Sequence, residues 1–146
     1  MANTQAMCTS FKSEILQAYH NFGTTVTRAG TGADTFKAAL YLTTATINAS
    51  TTAYTATGEV TGTNYTAGGV TVTNATPPAT SGTTAYWTPS ASLTYTNVTL
   101  STAFDTVLIY NSTQSNRAVS VHTFGSQTVT AGTFTLTKCE IGRAHV

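Results

Sequence analysis

Ser101-Thr-Ala-Phe-Asp-Thr-Val-Leu-Ile-Tyr-Asn-Ser-Thr-Gln-Ser-Asn-Arg-Ala-Val-Ser-Val-His-Thr-Phe-Gly125 is the stretch that decides the fold class. Val107, Leu108 and Ile109 form an unbroken apolar run, which suits a strand covered on both faces in the middle of a sheet. The second half alternates, with Val119 and Val121 on one face and Ser120 and His122 on the other. Between them Asn111 to Asn116 is polar and has nothing to bury, so the two strands are expected to form a hairpin.

Outward from this hairpin the same vocabulary repeats. On the N-terminal side Leu93 and Tyr95 share a face, and Val98 and Leu100 continue in the opposite phase, which requires a bulge or turn at Thr96-Asn97. On the C-terminal side Ala131-Gly132 reads as a kink before Phe134 and Leu136, which point one way. Phe36, Ala38, Leu40 and Leu42 line one face of a further strand, and Val70-Thr-Val72 starts another. Pro77-Pro78 and Thr88-Pro89 stop their segments because proline cannot donate to a ladder. Asn48 to Thr57 reads as a loop, and the glycines from Gly58 to Gly69 mark tight turns or close backbone approaches. Helical spacing is confined to Thr9–Phe22, where Phe11, Ile15, Tyr19 and Phe22 recur with Leu16, and Lys12, Ser13 and Gln17 face away. Thr9 or Ser10 can cap this helix and Gly23 can end it. The expected architecture is all-β: a two-layer antiparallel β-sandwich or jelly-roll-like domain with one N-terminal helix over about residues 9–22.

Composition limits the function classes. The 146 residues make one domain, assigned to 1–139, with only 8% charged residues and a net charge of +1. No basic field exists to hold a phosphate backbone, so no nucleic-acid partner is expected. About a quarter of the chain is threonine, a β-branched residue that suits the wet face of a pleated sheet. Such a surface offers little repulsion between copies and suits a protein that packs against others. Met1-Ala-Asn-Thr-Gln carries no secretory pattern and no run is long enough to span a bilayer, so no membrane partner is expected. Cys8 and Cys139 have neither metal-ligand spacing nor a disulfide framework, and one bridge between them stays open. The last residues, 140–146, break the Thr-rich style. Their back-translation matches the start of a short-read sequencing adapter, so they are expected to be non-native and no function is assigned to Arg143 or His145.

Chemistry finds little footing. A nucleophilic triad would draw on His20 or His122 with Asp34 or Asp105, and a glycosidase pair on Glu14, Glu59, Asp34 and Asp105; neither set has the grouping its reaction needs. The acids are too scattered for calcium, and no lysine follows the glycines as a phosphate loop requires. The reading is therefore no enzyme, no catalytic residue, no metal and no cofactor. Tyr54, Tyr65, Tyr86 and Trp87 form the candidate binding surface, since loop-borne rings can stack on sugar or on a protein. The rival account places Trp87 in the core.

Met1-Ala-Asn-Thr-Gln-Ala-Met-Cys-Thr-Ser-Phe-Lys, Phe36-Lys-Ala-Ala-Leu-Tyr, Gly58-Glu-Val-Thr-Gly-Thr-Asn-Tyr-Thr-Ala-Gly-Gly-Val70, Leu108-Ile-Tyr-Asn-Ser-Thr and Phe124-Gly together carry a resemblance covering nearly the whole chain. The sequence resembles small proteins of tailed bacteriophages that are taken as virion components. That resemblance implies a non-enzymatic structural part, a capsid decoration or a tail or fibre protein, made in the host cytoplasm and located in the virion. Its implied partners are other virion proteins or its own copies. The alternative it implies is a receptor- or carbohydrate-binding module of a phage tail, with a host-surface glycan as ligand. The sequence departs from the pattern at its end, where an apolar closing strand is expected.

Overall fold

A computed structural model describes residues 3–16, 18–23, 32–81, 84–137 and 141. The elements are β1 (Ala6–Met7), α1 (Thr9–Leu16), β2 (Phe36–Leu42), β3 (Val70–Val72), β4 (Ala79–Ser81), β5 (Thr84–Tyr86), β6 (Leu93–Asn111) and β7 (Arg117–Leu136). The chain is all-β, with one short helix among the described residues. One antiparallel sheet runs in the order β1-β7-β6-β2-β3, and β4 and β5 make a separate two-stranded ribbon.

The apolar run sits where its composition demands. Val107, Leu108 and Ile109 are fully buried in β6, between β2 and β7, with Leu108 opposite Ala39 on one side and Val121 on the other. Asn111 pairs with Arg117, and the turn between them is possible because Ser115 and Asn116 take positive φ, which a short polar residue tolerates. β2 spans the predicted Phe36–Leu42, and Ala39 and Tyr41 on its second face are as buried as Phe36 and Leu40 on its first.

The breaks expected at Thr96-Asn97 and Ala131-Gly132 do not end their strands: β6 and β7 run 19 and 20 residues, because the phase breaks are bulges that bend a continuous ladder. Asn97 and Ala131 adopt positive φ at the expected break points. The bending is large: Phe124 and Phe134 lie ten residues apart, about 33 Å in a straight strand, yet their ring centroids are 5.3 Å apart. Tyr95 likewise donates its hydroxyl to the Ala38 carbonyl, although Ala38 pairs with Ile109. The β6–β7 ribbon therefore doubles back over its own first half, and Phe104 and Phe134 meet edge to face in the fold so made.

The helix also ends early, at Leu16 and not near Phe22. Ala18 turns into the left-handed region, and Ala18 and Tyr19 donate their amides to the carbonyls of Ile15 and Glu14. Phe22 then stacks flat on Phe36, with ring centroids 4.6 Å apart, and Gly23 serves a close approach to Pro77, where a Cβ would lie 2.8 Å from the Pro77 Cα. Tertiary stacking overrides the helical period here. Glycine also permits the approach of the long loop to β2: a Cβ on Gly69 would fall 1.6 Å from the Ala38 oxygen. Cys8 is buried as a free thiol and burial pushes its pKa up to about 12, so it is inert. Cys139 lies outside the described residues.

Candidate functional site

Tyr110 and Asn111, successive residues of β6, point to opposite faces of the sheet, and each anchors a polar network. The Asn111 amide is saturated. Its nitrogen donates to His20 Nδ1 at 3.0 Å and to Asp34 Oδ2 at 2.8 Å, and its oxygen accepts the amides of Thr113 and Gln114. Because His20 Nδ1 accepts, its Nε2 carries the proton and donates to Glu14 Oε2 at 2.7 Å. Arg117 completes the chain with a 2.6 Å bond to Glu14 Oε1 while its guanidinium lies 4.4 Å over the Tyr19 ring. The His20 side chain has no exposed surface and the Glu14 side chain is 5% exposed. Burial lowers the His20 pKa and outweighs the opposing pull of Glu14. With both ring nitrogens engaged, His20 holds α1 against the hairpin turn and cannot reach a substrate.

On the other face Glu59 is enclosed by donors. Tyr54 donates to its Oε2 at 2.6 Å, and Tyr65 and the Gly68 amide donate to its Oε1, each at 2.7 Å. Tyr110 stacks on Tyr54 and gives its hydroxyl to the Gly68 carbonyl. Tyr65 also accepts the Leu40 amide at 3.0 Å and stacks on Tyr95. Burial foremost, and then the Glu59 charge, raise the pKa values of Tyr54 and Tyr65 and push Tyr110 up to about 12. These phenols stay protonated and act as fixed donors. The loop of residues 53–69 is thus drawn together by one carboxylate, and Tyr65 and the Gly68 carbonyl hold it to β2 and β6.

The third feature is open. Phe11, Ile15, Phe22, Pro78, Tyr86, Trp87 and Ile141 line an apolar cleft of about 200 Å³ between α1 and the β4–β5 ribbon. Ile15 is 48% exposed at its edge, although helical periodicity assigns it to a covered stripe. Trp87 is buried: its indole N–H donates to the Thr76 carbonyl at 2.7 Å, its ring meets Phe22 and Phe36, and its backbone pairs with Ile141.

Of the four rings assigned to binding, Tyr86 and Trp87 therefore come together at the cleft, while Tyr54 and Tyr65 meet around Glu59, a site whose central carboxylate the loop composition does not reveal. The helical stripe supplies Phe11 and Ile15 to the cleft, and this much is legible in the period; Phe22 arrives only through the turn after Leu16. Ser120 Oγ and His122 Nε2 are hydrogen-bonded at 2.9 Å as neighbours on one face of β7. Asp105 is occupied by Asn3 and Thr106. Among the described residues no group of three or more His, Cys, Asp or Glu is placed to hold a metal ion, and no helix is long and apolar enough to cross a membrane. Comparison with family models, with curated proteins and with solved structures found no match for this chain.

Proposed function

We propose that the chain is a non-enzymatic structural component of a tailed-phage virion, a capsid decoration or a tail or fibre protein, that works by packing against other proteins or against its own copies. The observation that carries this reading is the use made of the ionisable side chains: Glu14, His20 and Asp34 tie their segments to the ribbon and Glu59 draws the loop of residues 53–69 together, so that polar chemistry serves cohesion. The near-neutral, threonine-rich surface and the resemblance to phage virion proteins support the same reading.

Quantitative mass spectrometry of purified particles tests it. The expected result is this chain at a fixed ratio to the major capsid protein; a chain found only in the particle-free lysate overturns it. The alternative, a carbohydrate-binding tail module, draws on Tyr86, which is half-buried beside the cleft. A glycan array that retains the wild-type chain and loses the Tyr86→Ala variant would favour that alternative.

A further inference from the structure

Among the described residues, the sheet's two end strands are short, and the outer side of the first half of β6 is met by the long loop through the Thr63–Thr99 bridge and the Asn64 side chain on the Asn97 carbonyl. β1 has two residues and β3 three, and short edge strands offer little to pair with. The chain's three prolines, Pro77, Pro78 and Pro89, flank the β4–β5 ribbon. β7 has none of these devices. Its first residues are covered by β1 and by the loop, through Ala6 opposite Val121, the Cys8 amide on the Val119 carbonyl and the Ala118 amide on the Thr52 carbonyl. Beyond Val121, no strand among the described residues lies on its outer side. From His122 to Leu136 no residue is buried.

This edge is also uncharged: Ala118 to Thr137 contains no Asp, Glu, Lys, Arg or Pro. A second copy laid against it meets no like charge. Beyond the Ala131 kink the run Thr133-Phe-Thr-Leu136 alternates strictly, with exposed threonines on one face and half-buried Phe134 and Leu136 continuing the core on the other. An antiparallel edge is self-complementary under a two-fold axis, since its outward amides and carbonyls match those of an inverted copy.

We propose that the distal edge of β7, centred on Thr133–Leu136, pairs antiparallel with the same edge of a second copy of this chain, extending the sheet across a two-fold axis and covering Phe134 and Leu136. This seam deepens the packing role proposed above by naming its partner.

Sedimentation velocity of the full chain across a concentration series reads the seam. The wild type is expected to dimerise. A Thr133→Lys/Thr135→Lys variant, which sets lysines on exposed positions facing their mates about 5 Å away, is expected to weaken the dimer roughly ten-fold or more with unchanged circular dichroism. Mixing it with Thr133→Glu/Thr135→Glu is expected to restore a heterodimer that weakens with salt. A wild type that stays monomeric at every concentration, or a lysine variant that folds and dimerises as tightly as the wild type, overturns the proposal. If the variant misfolds, concentration-dependent exchange protection of the wild-type amides from Thr133 to Leu136 decides, with unchanged exchange rejecting the seam. A monomer found in virions would sink the seam and keep the packing role; a dimer missing from particles would do the reverse.

Discussion

The two halves of the β6–β7 ribbon share one composition style and face opposite demands. Around the turn, Thr106 to Asn111 and Ala118 to Val121 are enclosed on both faces, and even their polar members, Thr106, Asn111 and Ser120, are buried. In the distal half of β7 the same alternation of Thr with apolar residues leaves no position buried. The difference teaches that strand pattern fixes which way a side chain points, while the segments laid over the strand decide whether that side is dry. At the turn those segments are α1, fastened by Glu14 to Arg117, and the loop of residues 53–69, fastened by Tyr110 to the Gly68 carbonyl.

The comparison breaks most sharply at Ile109. Ile109→Asp puts an unpaired charge at a site with no exposed surface, and a cost of about 5 kcal/mol or more should leave the protein insoluble. Thr135→Asp in the distal half should leave the yield of folded protein and its circular dichroism unchanged. Asn111→Ala comes next, because it strips partners from His20 and Asp34 together; urea unfolding should show a loss of about 2 to 4 kcal/mol.

A pH series then sharpens the comparison. His20 is held neutral, with its folded pKa below the ordinary 6.5. The unfolded chain therefore binds the proton first, so this stability is present above pH 6.5 and is lost as pH falls below it, by at most about 1.4 kcal/mol per pH unit. Denaturation at pH 7.5 and 5.5 measures it, and exchange protection should weaken first at α1 and the turn, where Glu14, Asp34 and Arg117 surround the ring. A further test, in the distal half itself, is Phe134→Ala. It removes a half-covered ring from contact with Tyr95, Phe104 and Phe124 and should cost about 1 to 2 kcal/mol in the same urea experiment.

What the sequence discloses follows from range. The run Val107–Ile109, its turn, the strand Phe36–Leu42 and the breaks at Asn97 and Ala131 are legible because each is a local matter of period or backbone preference. The end of α1 is not, since it depends on Phe22 finding Phe36 and His20 finding Glu14. The polar chain from Arg117 through Glu14 and His20 to Asn111 and Asp34 joins positions about a hundred residues apart, and nothing in the spacing of five scattered polar residues announces it. Tyr54 and Tyr65 read as loop aromatics free to bind because periodicity carries no information about Glu59. The doubling back of the ribbon is hidden for a similar reason: a bulge and a turn leave the same phase break in the sequence.

Trp87 is the chain's single tryptophan, and it stands in the wall of the cleft with its N–H engaged and its ring against Phe22 and Phe36. Intrinsic emission from this protein is therefore a local optical gauge. It will register α1 or the β4–β5 ribbon lifting away and stay silent while distant parts of the ribbon rearrange, so light scattering or sedimentation must watch the β7 edge while fluorescence watches the cleft.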